Sequence, residues 1–218
     1  MLVRYWMATS LKTVAEDMNL EDALNLMHQY KIRRLPVVKD GHKLCGIIAL
    51  SDLYPYLGPH DVSRADISEE EITRLREIRV ADVMTKSLIT CNKRDTIEEI
   101  GSLMRQNRIG AIPVLEGDEL IGIITESDIL GALANITRMG TDGKRICFRI
   151  PVDTKIDIFY KIVMLCKEKG LEILTLLTHP LPEGSHLVMI RVRGDKVEEL
   201  INTLWQNHYE VMATAPPH

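Results

Sequence analysis

The chain has 218 residues, enough for more than one core, and its 45% hydrophobic and 27% charged residues are ordinary for a soluble globular protein. The formal net charge of −4 lacks the excess of Lys and Arg that marks nucleic-acid-binding proteins, so we expect no nucleic-acid partner. No stretch approaches the roughly 18 apolar residues of a membrane span, and the N-terminus has no signal-peptide pattern; we expect a cytoplasmic protein without a membrane partner.

The first 135 residues contain one unit written twice. Residues 122–129, an apolar run that leads into Thr125 and Asp128, repeat residues 46–53 at an offset of 76. Upstream the offset is 77, and the matched residues are Met7, Thr13, Met27, Ile32, Pro36 and Val37 with Met84, Thr90, Met104, Ile109, Pro113 and Val114. The slip of one residue falls in a turn, where a surface loop tolerates a change of length.

Each unit has the pattern strand, helix, strand, strand, helix. Asn19 is the expected N-cap of the first helix, and Pro55 predicts that the last helix of the first unit is short. Between the units, Ser68 and Glu71 have capping-box spacing, which predicts a helix that we interpret as a surface connector.

The C-terminal third changes character. Strands are predicted near residues 145–151, 172–177, 186–192 and 210–214, and helices near 155–169 and 195–207, which gives the ferredoxin-like order βαββαβ. Glycines in the turn before it predict a linker. We therefore divide the chain into a first repeat (1–57), a connector helix (58–79), a second repeat (80–135), a linker (136–144) and a C-terminal domain (145–214).

The fold class is thus α/β (α+β), and the repeats resemble a known family. Met followed by Thr, the run Ile-Arg-Arg-Leu-Pro-Val-Val at 32–38, and Gly-Ile-Ile followed by Ser-Asp at 46–52 are similar to a tandem pair of cystathionine-β-synthase (CBS) domains, a Bateman module. The C-terminal element order resembles an ACT domain, and the combination resembles the bacterial acetoin-utilisation AcuB-type proteins. ACT domains that bind amino acids carry a glycine after their first strand; the loop at 151–155 has none, which counts against an amino-acid ligand.

A hydroxyl followed three residues later by a carboxylate at a helix start suits a nucleoside phosphate. The carboxylate accepts hydrogen bonds from ribose, while the hydroxyl and the free helix N–H groups donate to phosphate. Thr125 and Asp128 fit this pattern, although a helix N-cap uses the same residue types. Asp52 keeps the carboxylate, but Ala49 replaces the hydroxyl, so we predict unequal occupancy of the two sites.

The resemblance to CBS domains implies the rest of the site. It assigns Thr125 and Asp128 to adenosine phosphates, and it implies that the backbone of Leu11, Lys12 and Thr13 faces the adenine. It also places Arg33 and Arg34 near the phosphates; the alternative is that both are solvated charges at a helix-to-strand turn. The expected regulatory ligand is AMP, ADP or ATP, and no cofactor is required.

No catalytic constellation or metal-ligand spacing stands out, so we expect a protein that is not an enzyme and holds no metal. The four cysteines lie in apolar contexts and are interpreted as buried, reduced thiols. Two functions remain: a nucleotide-sensing regulatory protein that couples binding to the ACT-like domain or to a protein partner, or a structural dimerisation or interaction module without a physiological nucleotide. We expect a homodimer, because apolar helical faces could be covered by a second copy; their residues are Leu24, Met27, Ile100 and Met104.

Overall fold

The computed structural model describes residues 1–41, 43–57, 67–140, 142–151 and 158–215. They form two units, Met1–Leu130 and Gly131–His218, and the division falls inside one helix. That helix ends at Ile136, the first residue of the predicted linker at 136–144. Residues 58–66 of the expected connector (58–79) and residues 152–155 of the glycine-free loop lie outside the described residues.

The first unit contains the two repeats. Its elements in chain order are a 3-10 helix (Val3–Tyr5), β1 (Val14–Ala15), α1 (Leu20–Tyr30), β2 (Arg34–Lys39), β3 (Lys43–Ala49), a 3-10 helix (Leu50–Tyr56), α2 (Glu69–Glu77), α3 (Val80–Val83), β4 (Cys91–Asn92), α4 (Ile97–Asn107), β5 (Ala111–Glu116), β6 (Glu119–Thr125) and α5 (Glu126–Ile136). The predicted order strand, helix, strand, strand, helix is confirmed in both repeats. The last helix of the first repeat is a 3-10 helix with Pro55 inside it.

One sheet joins the repeats, with strand order β1-β2-β3-β6-β5-β4. The order is symmetric about its centre, where β3 and β6 pair antiparallel. In each repeat the first strand is parallel to the second, and the second is antiparallel to the third with one break in register. The two repeats therefore share strand pairing as well as element order.

Local signals in the sequence fix both ends of the long helices. The Asn19 side chain accepts a hydrogen bond from the backbone N–H of Asp22 at 2.8 Å, and Thr96 caps α4 in the same way at 3.3 Å. Lys31 and Arg108 end α1 and α4, each in the left-handed conformation with φ of 53°. The helix boundaries thus repeat as closely as the strands do.

The prediction that α1 and α4 present apolar faces to a second copy is wrong in its residues. Leu24, Met27, Ile100 and Met104 are all at most 2% exposed within the chain itself. Helices of an α/β unit must bury one face on their own sheet before any partner is met, and these four side chains do so. They are core residues and offer no surface for dimerisation.

The helix α2 also contributes to the core. It has the predicted capping box, since the backbone N–H of Ser68 donates to Glu71 at 2.7 Å and that of Glu71 donates back to the Ser68 hydroxyl at 3.3 Å. Leu75 is fully buried in the core of the first repeat. The helix α2 is therefore part of the core of the first repeat as well as a connector between the repeats.

The opening segment of each repeat is bound to the other repeat. Near the N-terminus, Val3 N–H donates to the Asp95 carbonyl at 2.9 Å, and Ile97 N–H donates to the Met1 carbonyl at 2.7 Å. The mirrored segment behaves alike, since Leu20 N–H donates to the Ile78 carbonyl at 3.0 Å. The exchange makes the two repeats one folding unit.

Two glycines lie directly against the methionines of the exchanged segments. A Cβ on Gly122 would lie 2.8 Å from the Met7 sulfur, and one on Gly46 would lie 2.3 Å from the Met84 sulfur. Each methionine opens one repeat, and each glycine lies in the third strand of the other. The repeated Met and Gly positions are therefore explained by a contact between repeats rather than by a turn.

The second unit has the predicted βαββαβ order. After the end of α5 come β7 (Lys144–Ile150), α6 (Ile158–Glu168), β8 (Glu172–Pro180), β9 (His186–Arg193), α7 (Val197–Gln206) and β10 (Glu210–Ala215). The sheet is antiparallel with order β10-β7-β9-β8, a ferredoxin-like arrangement. Phe148, Ile190 and Leu200 are among the buried residues of its separate core.

Candidate functional site

A cavity of about 620 Å³ lies where the two repeats meet, within the usual range of small-molecule sites. Its lining comes from the opening segment, the start of β2 and the β6–α5 junction. The lining residues are Ala8, Ser10, Leu11, Lys12, Lys31, Ile32, Arg33, Arg34, Pro36, Gly110, Ile123, Thr125, Glu126, Ser127 and Asp128. The opening segment reaches this place because Ala8 and Ile123 exchange backbone hydrogen bonds of 2.9 and 3.0 Å.

Thr125 and Asp128 form a capping box at the start of α5. The Thr125 N–H and hydroxyl both donate to Asp128 Oδ2 at 2.7 Å, and the Asp128 N–H lies 3.3 Å from Thr125 Oγ1. The N-cap interpretation therefore describes a real interaction. It occupies one carboxylate oxygen, because Oδ1 of Asp128 has no hydrogen-bond donor among the described residues. Capping and ligand binding can thus share this side chain.

Asp52 occupies the mirrored position at the start of a 3-10 helix. Its Oδ2 accepts a hydrogen bond from the Ala49 N–H at 2.8 Å, which matches the Thr125–Asp128 geometry. The hydroxyl donor is missing at Ala49, as the sequence required. Asp52 does not line the cavity that contains Asp128, so the structure separates these two predicted site residues.

Four cationic side chains line the cavity, and none of them makes an ion pair with a carboxylate of the described residues. Arg33, Arg34 and Lys31 have no carboxylate partner among the residues that the structure describes, and Lys12 Nζ lies 4.2 Å from the centre of the Tyr30 ring. Some exposed arginines elsewhere are paired, as in Arg76–Glu21 and Arg193–Glu172, both at 2.5 Å. The cavity therefore concentrates cations that are available to an anion.

The sequence predicted part of this lining. Leu11, Lys12, Arg33, Arg34, Thr125 and Asp128 meet at the cavity, whereas Thr13 is exposed and lies outside the lining. Sequence reasoning did not assign the other lining residues to the site: Ala8, Ser10, Lys31, Ile32, Pro36, Gly110, Ile123, Glu126 and Ser127. Ser127 and Lys31 adjoin predicted residues and could have been included for that reason. Gly110 had no such signal, because its role depends on a contact with a distant side chain.

Other classes of site find little support. Within the described ranges, no three His, Cys, Asp or Glu side chains are grouped so as to hold a metal ion. Burial raises the pKa of the Cys91 thiol to about 12 and that of Cys166 to about 11, so both stay protonated at neutral pH. Among the helices that the structure describes, none combines the length and apolar character needed to cross a membrane.

Comparison with known proteins gives matches over the repeats. A CBS domain-containing protein of Dictyostelium discoideum is 33% identical over 136 residues, which cover 62% of this chain and 92% of that protein. The inosine-5'-monophosphate dehydrogenase of Methanocaldococcus jannaschii is 38% identical over 120 residues, 54% of this chain but 21% of the enzyme. That match leaves most of the enzyme's length without a counterpart.

Solved structures give the same family. A candidate acetoin utilization protein (AcuB) of Vibrio cholerae has a TM-score of 0.52 and 27% identity, covering 64% of this chain and 94% of that one. The protein CBSX2, solved in complex with AMP, has a TM-score of 0.51 and 26% identity, covering 62% and 97%. The CBS domain model matches residues 3–58 and 80–135, a little over half of the sequence. This chain is therefore a tandem CBS-domain protein and belongs to the CBS family.

Proposed function

We propose that this chain is a non-catalytic regulatory protein that binds an adenosine nucleotide in the cavity between the repeats. One observation carries the proposal: an available carboxylate oxygen of Asp128 and the unpaired cations Arg33 and Arg34 line one cavity. A ribose needs an acceptor for its hydroxyls, and phosphates need fixed cations. Nucleotides carry both groups in the same molecule.

The lining offers a place for each part of such a ligand. Asp128 Oδ1 is the proposed ribose acceptor, because Oδ2 is held by Thr125. Ile32 and Ile123 give apolar surface for a base, and the backbone of Leu11 and Lys12 offers polar groups for its edge. Thr13, expected beside the adenine, follows Lys12 in the sequence but does not line the cavity, and we propose no direct contact for it. The AMP bound by CBSX2 supports adenosine as the nucleoside.

We also propose that occupancy is communicated to the second unit through α5. The helix begins at Glu126 in the cavity lining and ends at Ile136 in the second unit. There the Thr175 hydroxyl donates to the Ile136 carbonyl at 3.0 Å, and Arg191 donates to the Thr137 carbonyl at 3.3 Å. Both side chains are buried, so the end of α5 is fixed to the sheet that would respond.

The second unit is proposed to be ACT-like, with a regulated protein as its partner. Its βαββαβ order supports an ACT-like domain, and the resemblance to AcuB-type proteins suggests a role in acetoin utilisation. A homodimer remains a prediction. With the core residues of α1 and α4 excluded, exposed Leu130 and Leu133 on α5 are the apolar surface that supports it. Sedimentation at micromolar concentration tests it.

The alternative is a structural interaction module that uses the same fold without a physiological nucleotide. Ala49 favours it, because one of the two sites lacks its hydroxyl donor. The exposed apolar side chains of Leu130 and Leu133 favour it as well. Under this alternative the cations of the cavity are solvated surface charges.

A thermal shift assay separates the two functions. The panel contains AMP, ADP, ATP, S-adenosylmethionine, NADH and free amino acids, each tested on the full chain. A ligand at 100 times its dissociation constant stabilises the folded state by about 2.7 kcal/mol, which raises Tm by several degrees. A shift with adenosine nucleotides that is lost in Asp128→Ala supports the proposal. No shift with any adenosine compound would leave the interaction module as the better function.

A further inference from the structure

We propose that Gly110 is the positioning residue of an anion subsite built around Arg34, and that the cavity therefore prefers nucleoside di- and triphosphates to AMP. This inference rests on the proposed function and adds a ligand class to it. It also assigns a role to a residue that no sequence pattern singled out.

The Arg34 guanidinium lies against the backbone of Gly110. A Cβ on Gly110 would lie 2.3 Å from Arg34 Nη2 and 2.9 Å from both Arg34 Cζ and Glu126 Oε2. Any side chain at this position would therefore displace the guanidinium. Arg34 is the far end of a flexible side chain, so an alanine here moves the charge without requiring a change of the backbone. Gly110 thus determines where the charge of Arg34 is held.

The charge of the cavity exceeds what ribose recognition needs. Four cations line it against two carboxylates, those of Glu126 and Asp128, and Asp128 is assigned to the ribose. Arg34 makes no ion pair with a described carboxylate although Glu126 is its neighbour across Gly110. Each phosphate beyond the first adds negative charge and acceptor oxygens that a guanidinium fork can bind. S-adenosylmethionine, with a sulfonium cation in place of phosphate, is disfavoured by the same charges.

The corresponding residues of the second repeat cannot form a second subsite of this kind. At the offset of 77, Arg33 and Arg34 correspond to Gly110 and Ala111, which carry no charge. Gly110, which leaves room for Arg34, occupies the position in the second repeat that corresponds to Arg33 in the first. Only the first repeat therefore contributes arginines at these two positions, and we expect one polyphosphate site per chain.

Titration calorimetry of the full chain with AMP, ADP, ATP and S-adenosylmethionine, without divalent cations, tests the proposal. We expect ATP to bind about ten- to a hundred-fold more tightly than AMP, the contribution of one or two charge-assisted contacts, at one ATP per chain. Arg34→Met should bring the two affinities close together. Gly110→Ala should reduce the ATP preference with the total charge unchanged, and Glu126→Gln should increase it.

Two variants serve as matched controls. Arg94→Met removes a positive charge that does not line the cavity, and Gly131→Ala adds a methyl group where no described heavy atom lies within 4 Å of the new Cβ. Both should keep the wild-type ATP preference, and thermal unfolding without ligand checks that every variant is folded; Gly131→Ala, inside α5, should raise Tm slightly. If AMP binds as tightly as ATP, or if Arg34→Met keeps the preference, the polyphosphate subsite is refuted while nucleotide binding stands. If no adenosine compound binds, both proposals fail.

Discussion

The two repeats are most alike where they hold the fold and least alike where a ligand would bind. Each exchanges its opening segment with the other, and each accommodates a methionine over a glycine. At the β-strand to helix corner they differ: Thr125 leads into the 11-residue helix α5, whereas Ala49 leads into a seven-residue 3-10 helix that contains Pro55. The contacts that join the repeats are therefore the same in both, whereas the side chains that could contact a ligand differ between Thr125 and Ala49.

The largest expected effect tests which repeat is better packed at this corner. Leu53 in the 3-10 helix is fully buried, while its counterpart Ile129 is half-buried and lies near Gly101. Leu53→Ala should lower the free energy of unfolding by about 2–5 kcal/mol, because it leaves a cavity in a closed core. Ile129→Ala should cost less, since water already reaches that side chain.

Urea unfolding measures this difference in the first unit alone. The chain has two tryptophans, Trp6 in the first unit and Trp205 in the second. On a Trp205→Phe background the fluorescence of Trp6 reports the unit that contains both substitutions. Equal losses for Leu53→Ala and Ile129→Ala would show that burial at this corner does not distinguish the repeats.

The next effect concerns affinity and follows from the two carboxylates. Asp128→Ala removes the proposed ribose acceptor and should weaken nucleotide binding by about ten- to a hundred-fold, the value of a charge-assisted hydrogen bond. Asp52→Ala should weaken binding much less, because its corner lacks the hydroxyl and the counterparts of Arg33 and Arg34, which are Gly110 and Ala111. Calorimetry with the tightest nucleotide of the panel measures both.

These two variants control for each other. Asp52 and Asp128 each accept a backbone N–H from the residue three positions earlier, at 2.8 and 2.7 Å, so both substitutions remove a helix cap. Asp128 also accepts from the Thr125 hydroxyl at 2.7 Å, so Asp128→Ala should lower Tm without ligand somewhat more than Asp52→Ala. Equal losses of affinity would remove the proposed asymmetry, and unchanged affinity in both would make the carboxylates helix caps only.

Much of this fold could be predicted because its signals are local. The caps Asn19 and Ser68 and the alternation of the C-terminal strands depend on neighbours in the sequence, and the repeat is visible by comparing the sequence with itself. Pro55 likewise announced a short helix. The site residues Thr125 and Asp128 followed from the same kind of evidence, because a hydroxyl and a carboxylate three apart meet at any helix start.

What could not be predicted depends on contacts between distant residues. The exchange of opening segments joins Val3 to Asp95, and no pattern near either residue indicates the other. No pattern around Gly110 indicates its contact with Arg34, which is 76 residues away in the sequence. The helical spacing of apolar residues in α1 predicts that Leu24 is buried, but it does not identify the residues that cover it. The homodimer prediction gave this role to a second copy, whereas Leu24 is already buried within the chain.

The smallest expected effect comes from substitutions that remove or add the hydroxyl that Thr125 has and Ala49 lacks. Thr125→Ala removes the side chain that donates to Asp128 and accepts from its N–H, and loss of such an N-cap costs about 0.5–2 kcal/mol. Ala49→Thr supplies the same group beside Asp52, whose carboxylate already accepts the backbone N–H. The gain should be smaller, roughly 0.5 kcal/mol, because a 3-10 helix orients its first N–H groups less well toward a cap. Urea unfolding on the Trp205→Phe background measures both, and Ser127→Ala, exposed at the same corner, is the control with no expected change. Loss of stability in Ala49→Thr would mean that the first repeat has too little space for a threonine side chain at this position. A single substitution could then not give the first repeat the hydrogen bonds of Thr125 and Asp128.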